Sequence, residues 1–295
     1  MVKKFLTLIV LAATLSLVAE PINWQSAKPI GPGIRYAQLA RKKPRLMQIF
    51  IFRVDLQTPG LKFTGTPRDP DFGKPMPDYP ELPIVTRRQT TAEFVRAKRK
   101  EGKKLLVAVN AAPWKPWTNP FNHRYARPSG IMISDGKLVW NSGSNGAVFI
   151  VRNDGKVYIG DDEISTDDYP NISLAVSGFS IILKNGEKLT SGRTDLAPRT
   201  VYGLSGDGRY LYLMAIDGRQ EKYSMGATTD ECADILLEAG AADGINMDGG
   251  GSTTLLYCSR SGKINTVNRH DPKGKYYRPV ANNVGIYIEE RKPRR

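Results

Sequence analysis

Residues 129–140 read SGIMISDGKLVW, residues 147–160 read AVFIVRNDGKVYIG, and residues 179–190 read FSIILKNGEKLT. Each stretch places an Asp-Gly or Asn-Gly pair between two apolar runs, which is the strongest short-range signal for a β-hairpin. Two strands joined by so short a turn must run antiparallel. These residues therefore predict a fold built mainly from antiparallel hairpins.

Apolar runs on both sides of the three hairpins predict further strands. Residues 46–56 (LMQIFIFRVDL) and 104–110 (KLLVAVN) are rich in strand-forming side chains, and residues 199–217 (RTVYGLSGDGRYLYLMAID) form a fourth hairpin pattern. Shorter strands are expected within residues 61–66, 244–246, 253–257 and 282–290. The Pro-rich tract from Pro67 to Pro83 is expected to be an irregular surface loop.

Two segments have the pattern of a helix. Residues 90–102 begin with Thr90, supply Phe94 and Val95 for packing, and end at Gly102, and the second helix is expected over residues 226–239. Because strands outnumber helices and most neighbours form hairpins, we expect an α+β fold. It should be a single domain, residues 20–295, with a mixed, largely antiparallel β-sheet core flanked by a few helices.

The first 19 residues have the order of a secretory signal peptide. Lys3 and Lys4 precede an apolar run, and small residues follow up to Ala19. The run is short for a membrane span, although an uncleaved anchor helix is the alternative. We therefore expect residues 1–19 to be removed, no transmembrane segment in the remaining chain, and a secreted or periplasmic location in the cell envelope.

The composition excludes several kinds of chemistry. With 40% hydrophobic residues among 295, the chain can build a core and is not disordered. Cys232 and Cys258 are too few for a disulfide scaffold, and they can either pair with each other or be buried as thiols. With only His123 and His270 present, a multi-histidine metal centre is excluded. An enzymatic site in this chain would have to use carboxylates, arginines and amides.

The net charge predicts an anionic partner. The chain has 43 Lys and Arg against 29 Asp and Glu, a formal charge of +14, and loss of Lys3 and Lys4 would leave 41 − 29 = +12. The basic residues are scattered or form short clusters, and a secreted chain rarely meets nucleic acid. We therefore expect an acidic polymer rather than nucleic acid as the partner.

Residues 245–257 (INMDGGGSTTLLY) carry the strongest chemical signal. Asp248 directly follows a buried strand and is followed by three glycines and Ser252. Consecutive glycines let a ligand approach the backbone, whose free N–H groups can bind an anion. The alternative is a glycine-rich turn that Asp248 merely caps.

A second carboxylate, Asp217, stands at the end of a predicted strand over residues 210–216. Asp217 ends this apolar run and precedes Gly218 and Arg219, whose guanidinium suits bidentate contact with phosphate. The two acidic strand ends could line one site, although a polar hairpin turn is the alternative.

Other candidates stand at strand ends or in the long loop of residues 112–129. Arg199 could contact an anion or lie in solvent, and Asn110 could bind a ligand or cap a turn. Trp114 and Trp117, together with Phe121 and Tyr125, could stack on sugar faces or anchor the loop.

Six segments, in this order, resemble the phosphodiester glycosidase family. They are NAAPW (110–114), SGIMISDGKL (129–138), SGFSIILKNGE (177–187), APRTVYGL (197–204), AIDGRQEKYSMGATTDECADILLEAGAADGINMDGGGSTTL (215–255) and RPVANNVGIYI (278–288). The resemblance runs from about residue 33 to residue 289, and its longest segment is highly specific. It implies a hydrolase that cleaves the bond between a sugar's anomeric carbon and a phosphodiester oxygen.

The resemblance also implies a set of site residues. Asp217 and Asp248 would be the catalytic pair, as acid and base or as nucleophile, and Arg199 and Arg219 would neutralise the phosphate. The expected substrate-binding residues are Asn110, Gly218, Asn246, Gly249, Gly250, Gly251, Ser252 and Arg278. The expected partner is an anionic or phosphorylated glycan.

One departure from the family pattern leaves the identity of the substrate's sugar open. Family members usually have glycines and an aromatic pair after the asparagine, whereas this chain has Ala111, Ala112 and Pro113. Two alternatives to a phosphodiester glycosidase are a glycosidase for non-phosphorylated glycans and a non-catalytic envelope protein that binds an anionic glycan. No cofactor is implied with certainty, and a divalent cation at Asp248 stays open because hard cations prefer carboxylate oxygens.

Overall fold

The computed structural model describes residues 22–143, 146–161, 164–190, 192–270 and 276–289. The predicted signal peptide, residues 1–19, lies outside these ranges, so its removal and the domain start at residue 20 remain predictions. Within the described ranges, no helix combines the length and the apolarity needed to cross a membrane.

Strands make up most of the regular structure. In chain order they are β1 (Lys28–Gly31), β2 (Ile34–Arg41), β3 (Met47–Asp55), β4 (Leu61–Gly65), β5 (Pro75–Met76), β6 (Tyr79–Pro83), β7 (Thr86–Arg87), β8 (Leu105–Asn110), β9 (Trp114–Lys115), β10 (Tyr125–Pro128), β11 (Ile131–Ser134), β12 (Lys137–Asn141), β13 (Val148–Arg152), β14 (Val157–Gly160), β15 (Ile172–Ser177), β16 (Ser180–Lys184), β17 (Glu187–Lys188), β18 (Arg199–Leu204), β19 (Tyr210–Ile216), β20 (Asp243–Asn246), β21 (Leu255–Cys258), β22 (Ile264–Thr266) and β23 (Asn283–Ile288). Two α-helices, α1 (Thr91–Lys100) and α2 (Thr229–Ala239), and two short 3₁₀ turns, Thr166–Asn171 and Gly250–Ser252, complete the described structure.

The strands form three main sheets. An eight-stranded sheet has the order β1-β2-β3-β19-β18-β20-β16-β17, and two five-stranded sheets have the orders β22-β21-β8-β23-β4 and β12-β11-β15-β13-β14. Two small sheets, β7-β10-β9 and β5-β6, lie in the connections. Every ladder between described strands is antiparallel, which confirms the predicted α+β fold with a largely antiparallel core.

One apolar core joins the three main sheets. It includes Phe52 from the first sheet, Val109 from the second and Phe149 from the third, all fully buried. Phe149 packs edge-on against Tyr202, whose ring centroid lies 5.2 Å away. Alternating side chains on each strand place one apolar face toward this core, and burial of that apolar surface is the main stabilising contribution.

The two helices cover the outer faces of two sheets. Helix α2 packs Ile235 and Leu236 against the eight-stranded sheet, and α1 packs Phe94 and Val95 near β8 and β21. Each helix begins with a capping box, at Thr90 and at Thr228, in which the threonine side chain and a glutamate satisfy free backbone N–H groups. Both predicted helices are present, and α2 starts three residues later than predicted because Thr228 caps it.

The hairpin predictions are confirmed, and one loop prediction is wrong in part. Asp135 and Asn185 adopt φ values near 51° and are each followed by a glycine with positive φ, as a two-residue hairpin turn requires. The Pro-rich tract from Pro67 to Pro83 is not wholly irregular, because β5 and β6 pair within it. Proline is tolerated in a two-stranded ribbon because each strand has an edge that needs no N–H donor.

The two cysteines, both in the described part of the chain, are free thiols. Cys232 lies in α2 and packs in the cluster between this helix and the eight-stranded sheet, whereas Cys258 packs with α1, so the two cysteines belong to different apolar clusters. Of the two alternatives left open by the sequence, a disulfide or two buried thiols, the structure has the two buried thiols.

Candidate active site

Several strands of the eight-stranded sheet and of the β22-β21-β8-β23-β4 sheet begin or end at one edge of the fold. β8 ends at Asn110, β20 ends at Asn246, and β19 ends at Ile216. In register with these ends, Arg199 pairs with Ile216 across β18 and β19, and Asn283 pairs with Asn110 across β23 and β8. Antiparallel pairing thus brings the segments that precede or follow these strands to the same edge.

A pocket of about 400 Å³ opens at this edge. Its lining combines a glycine-rich loop, cationic side chains and aromatic rings: Pro113, Trp114, Lys115, Trp117, Ser129, Phe179, Arg193, Asp195, Ala197, Arg199, Arg219, Met247, Asp248, Gly249, Gly250, Gly251 and Arg278. Of the predicted site residues, the pocket brings together Arg199, Arg219, Asp248, Gly249, Gly250, Gly251 and Arg278. A concave site with a few convergent charged groups is the usual form of a small-molecule binding site.

Asp248 is the buried carboxyl group of the pocket. Its side chain is 3% exposed, and burial raises its pKa from 3.8 to about 6, although Ser252, Arg278 and Trp114 favour the charged form. Among the described residues, none hydrogen-bonds Asp248 Oδ2. A buried carboxyl group in a pocket wall, with a raised pKa and a cation nearby, is a candidate reacting group.

The backbone around Asp248 is fixed by hydrogen bonds to a neighbouring strand end. The Asp248 N–H donates to the Ala111 carbonyl at 3.0 Å, and the Asn110 side-chain amide donates to the Asp248 carbonyl at 2.6 Å. Asn110 Oδ1 accepts from the Thr200 hydroxyl and from the Thr254 N–H. Asn110 thus ties four chain segments together just behind Asp248.

The glycine loop after Asp248 lies directly under two arginines. A Cβ at Gly250, where φ is +59°, would lie 3.3 Å from Arg219 Nη1, and a Cβ at Gly251 would lie 2.6 Å from Arg278 Nη2. The loop therefore needs glycine for backbone conformation at the first position and for close approach of a guanidinium at the second. Both cations are held against the wall that also carries Asp248.

The guanidinium of Arg278 packs against two aromatic rings. Its guanidinium carbon lies 4.3 Å from the centroid of the Phe121 ring and 5.2 Å from that of Trp117. Burial lowers its pKa, Asp248 acts in the opposite direction, and the nearby charge of Arg219 lowers it further. Two guanidiniums close enough to repel each other are stabilised when an anion binds between them.

Arg219 has an unusual backbone conformation. It is exposed and has a φ of 60°, in the left-handed region that favours glycine, and its N–H donates to the Met225 carbonyl. Such a conformation costs on the order of 1 kcal/mol and occurs preferentially at functional sites. The turn directs the Arg219 side chain over the glycine loop.

Arg199 and Asp195 form an ion pair in the pocket wall. Arg199 Nη2 donates to Asp195 Oδ1 at 3.0 Å, and Arg199 Nε donates to the Ala227 carbonyl at 2.9 Å. The hydrogen bond from Arg199 lowers the pKa of Asp195, whose side chain is largely exposed. Arg199 is therefore largely engaged by the protein, and Asp195 presents an ionised carboxylate to the pocket.

Asp217 does not belong to the described lining of the pocket. It is 1% exposed and accepts hydrogen bonds from the Arg269 N–H, at 3.0 Å, and from Asn268 Nδ2, at 3.3 Å. Burial raises its pKa to about 6, and these donors act against that rise. Asp217 thus anchors the segment after β22, and its predicted catalytic role beside Asp248 stays a prediction.

The remaining predicted residues support the pocket from behind. Asn110, Gly218, Asn246 and Ser252 are buried and are not among the described lining residues. A Cβ at Gly218 would lie 2.6 Å from Pro198 N, so this glycine allows close backbone packing. Neither amide atom of Asn246 has a hydrogen-bond partner in the described part of the chain, and the buried Ser252 lies close enough to favour the charged form of Asp248.

The aromatic loop divides into anchors and exposed rings. Trp114 and Tyr125 are buried, and Trp114 also belongs to the pocket lining, whereas Trp117 lines the pocket with 53% of its surface exposed. Phe179, 41% exposed, is a second ring of the lining and lies under Arg193, whose guanidinium carbon is 4.1 Å from the ring centroid. Exposed flat rings of this kind suit the apolar faces of sugars.

Sequence reasoning missed Asp195, Arg193 and Phe179. Asp195 lies four residues before Arg199 in the stretch RTDLAPR, which carries no pattern that distinguishes it from an ordinary polar loop. The signal that could have found it is this spacing from a predicted phosphate-binding arginine.

The described residues contain no group of three or more His, Cys, Asp or Glu side chains arranged to hold a metal ion. Asp248 and Asp195 are the carboxyl groups of the described pocket lining, and two carboxylates are few ligands for a hard cation that takes six or more oxygens. No resident metal or cofactor is assigned to the site.

The pocket of this β-rich fold combines a buried carboxyl group, a glycine loop and two adjacent guanidiniums, which are groups that suit an anionic ligand. The sequence profile of the family described as phosphodiester glycosidase matches residues 103–287, well over half of the chain. The chain belongs to the phosphodiester glycosidase family, as the sequence resemblance predicts.

Individual relatives agree with this assignment. Over 149 residues the chain is 30% identical to N-acetylglucosamine-1-phosphodiester alpha-N-acetylglucosaminidase of Mus musculus and 28% identical to that of Bos taurus. The matched region is 43% of this chain and 28% of each relative, so the chain spans less than a third of the length of these curated relatives.

Solved structures share the fold. The catalytic domain of the zebrafish N-acetylglucosamine-1-phosphodiester alpha-N-acetylglucosaminidase, auto-inhibited by its pro-peptide, aligns with a TM-score of 0.61 at 23% identity, covering 92% of this chain and 87% of that one. A protein of Synechocystis aligns with a TM-score of 0.59 at 13% identity, covering 87% of this chain and 62% of that one. At these identities the similarity shows a common fold.

Proposed function

We propose that this protein is a secreted hydrolase that cleaves the sugar C1–O bond of a sugar-1-phosphodiester in a glycoconjugate or envelope polymer. The observation that carries the proposal is the buried Asp248 carboxyl in a pocket whose glycine loop lies under Arg219 and Arg278. The names of the mammalian relatives describe a glycosidase for the same class of bond. A location outside the cytoplasm rests on the signal-peptide pattern of residues 1–19.

The chemistry of the leaving group suggests a role for Arg219 and Arg278. Cleavage of the C1–O bond releases a phosphomonoester, whose second pKa is about 6, so it can leave as a dianion without a strong acid. What it needs is neutralisation of the negative charge that develops as the bond breaks. Arg219 and Arg278, held side by side against the glycine loop, supply that positive charge.

Asp248 then acts on the sugar side of the bond. As a carboxylate it stabilises the positive charge that develops at C1 and either takes a proton from the attacking water or attacks C1 itself. In both cases the ionised form is the active one. Asp195, ionised and exposed in the same wall, is placed to accept hydrogen bonds from sugar hydroxyls, and Trp117 and Phe179 offer faces for the ring.

The two guanidiniums favour a phosphodiester over a neutral glycoside. A neutral sugar would leave both cations in the pocket uncompensated, whereas a phosphate pairs with both through charge-assisted hydrogen bonds. Pro113, in the Ala111-Ala112-Pro113 turn that differs from the usual family pattern, lines the pocket, so this turn bears on which sugar the pocket takes.

The test is sugar release from UDP-N-acetylglucosamine, UDP-glucose and a synthetic sugar-1-phosphodiester, with a neutral aryl glycoside as comparator. We expect the phosphodiesters to be hydrolysed, Asp248→Asn to abolish the reaction, and Arg209→Ala, an exposed arginine outside the described pocket lining, to leave it unchanged. Failure of the wild-type protein on every phosphodiester, or full activity of Asp248→Asn, would contradict the proposal. Proton NMR of the first sugar formed would assign Asp248 as nucleophile if configuration at C1 is retained and as base if it is inverted.

A further inference from the structure

We propose a second binding site, separate from the candidate active site, for an acidic segment of a glycan chain. The site is a groove of about 1030 Å³ formed by residues 28–32, Arg99, residues 104–106 and residues 257–262. No described residue belongs to the linings of both cavities. This inference does not depend on the proposed hydrolytic reaction.

The groove and the active-site pocket lie at opposite ends of the same strands. β8 begins at Leu105, in the groove, and ends at Asn110, which supports Asp248. β21 runs the other way, from Leu255, next to Thr254, to Cys258 in the groove. Five residue steps of strand separate the two ends of β8, a distance of about 17 Å, or several sugar units of a polymer.

The groove is cationic. Lys28, Arg99, Lys104 and Arg260 are exposed and belong to its lining, and no Asp or Glu occurs among the described lining residues. The like charges of Lys28, Arg99 and Arg260 raise the local concentration of anions at the groove. This local charge is the groove's share of the chain's overall +14.

The floor of the groove is apolar and rigid. Ile30, Leu106 and Tyr257 are partly buried there. The Tyr257 ring packs edge-on against Phe52, with 6.3 Å between ring centroids, and Lys28 Nζ lies 5.6 Å from the Tyr257 centroid. An apolar floor with a fixed ring suits the flat faces of sugars, and the cations above it suit acidic substituents.

A glycan fits these features better than a nucleic acid or the chain's own ends. Grooves for single-stranded nucleic acid use several aromatic rings to stack successive bases, whereas Tyr257 is the one aromatic residue among the described groove residues. The two ends outside the described ranges, residues 1–21 and 290–295, are both net basic in sequence, so they would be repelled from the groove.

The experiment measures binding of a fluorescently labelled oligogalacturonate, which carries one carboxylate per sugar and no phosphodiester. We expect Lys28→Glu/Arg260→Glu to weaken its binding about tenfold or more, because charge reversal at two exposed positions replaces attraction by repulsion. The matched control, Lys42→Glu/Lys137→Glu, has the same change in net charge at exposed positions outside the groove and should change binding less than twofold.

Three outcomes would overturn the proposal. In the first, the groove variant and the control variant lose oligogalacturonate binding to the same extent. In the second, the wild-type protein binds a neutral maltooligosaccharide as tightly as the oligogalacturonate. In the third, a short oligothymidylate binds more tightly than the oligogalacturonate, and the groove variant loses that binding. Hydrolysis of a small sugar-1-phosphodiester by the groove variant is measured alongside. Its persistence together with lost oligogalacturonate binding supports two separate sites, and the groove can be confirmed even if no phosphodiester is ever hydrolysed.

Discussion

The side-chain amide of Asn110 donates a 2.6 Å hydrogen bond to the backbone carbonyl of Asp248. This bond joins the end of β8 to the loop that follows β20, which are strands of two different sheets. The position of the buried carboxyl group is therefore set by contact between sheets. Catalytic groups held this way lose little freedom when a substrate binds, which favours reaction.

Replacing Asn110 should damage stability and activity together. Asn110→Ala removes three side-chain hydrogen bonds and leaves the Asp248 carbonyl, the Thr200 hydroxyl and the Thr254 N–H buried without that partner. We expect a loss of about 2–4 kcal/mol in the free energy of unfolding, measured by urea denaturation, and a lower kcat in the fraction that remains folded. A variant with wild-type stability and only a raised KM would instead mean that Asn110 contacts substrate.

Asp248→Asn should abolish activity while making the folded protein more stable at neutral pH. Because the folded-state pKa of Asp248 is raised to about 6, the folded protein binds the proton more tightly, and the stability associated with this group falls as pH rises from about 4 to 6. The asparagine variant avoids this cost, so its advantage in unfolding free energy should grow from near zero at pH 4 to as much as about 3 kcal/mol at pH 7. Equal stability of the two proteins at both pH values would mean that Asp248 is not held in its raised-pKa state.

The pH profile of catalysis should rise through the pKa of Asp248. If the carboxylate is the active form, kcat/KM increases about tenfold per pH unit below roughly pH 6 and levels off above it. In the complex, the negative charge of the bound phosphodiester should move the midpoint in kcat to higher pH. A rate that instead declines as pH rises through 6 would identify Asp248 as a general acid.

Arg219→Ala and Arg278→Ala should each weaken recognition of phosphate. Loss of one charge-assisted contact is expected to reduce kcat/KM by about 10- to 100-fold, and inhibition by inorganic phosphate should weaken in parallel. Raised salt should reduce the wild-type rate more than that of Arg219→Ala, because the exposed Arg219 charge is screened by salt and is absent from that variant. Arg209→Ala is the control and should keep the wild-type salt dependence.

Two neighbouring glycines offer a matched test of the loop. At Gly251 a Cβ would meet Arg278 Nη2, the movable end of a side chain, whereas at Gly249 it would lie 2.7 Å from the Pro198 carbonyl oxygen in the backbone. Gly251→Ala should therefore raise KM with a change in unfolding free energy below about 1 kcal/mol, and Gly249→Ala should destabilise the fold by about 1–3 kcal/mol. The reverse order of effects would show that the loop backbone moves more easily than Arg278.

Local sequence patterns predicted most of the fold. The hairpin turns at Asp135 and Asn185 depend on residues that tolerate positive φ, and the helix start at Thr90 depends on a cap within its own turn. Such features act over a few residues, so they can be read from the chain. The pairing of β5 with β6 inside the Pro-rich tract was missed because a ribbon with free edges relaxes the usual exclusion of proline.

The candidate site was predictable only in part. The glycine loop after Asp248 and the arginine Arg219 were marked by adjacent residues in the sequence, and both line the pocket. Asp217 carries the same local pattern as Asp248, a carboxylate after an apolar strand, yet it is turned toward the backbone of Arg269. No local pattern distinguishes the two, because the difference arises from which distant segment packs against each strand end.

The sequence by itself determined the antiparallel β-rich architecture, the two helices, the glycine loop and, through its longest motif, the family. These depend on backbone preferences and on apolar periodicity within short windows. Only the tertiary structure showed that Asp195 and Asp248 line one pocket, that Asn110 supports Asp248 from behind, and that four scattered basic residues line one groove. The physical reason is that burial, pKa and charge neighbourhood depend on contacts between residues far apart in the chain, which only the packing of the sheets brings together.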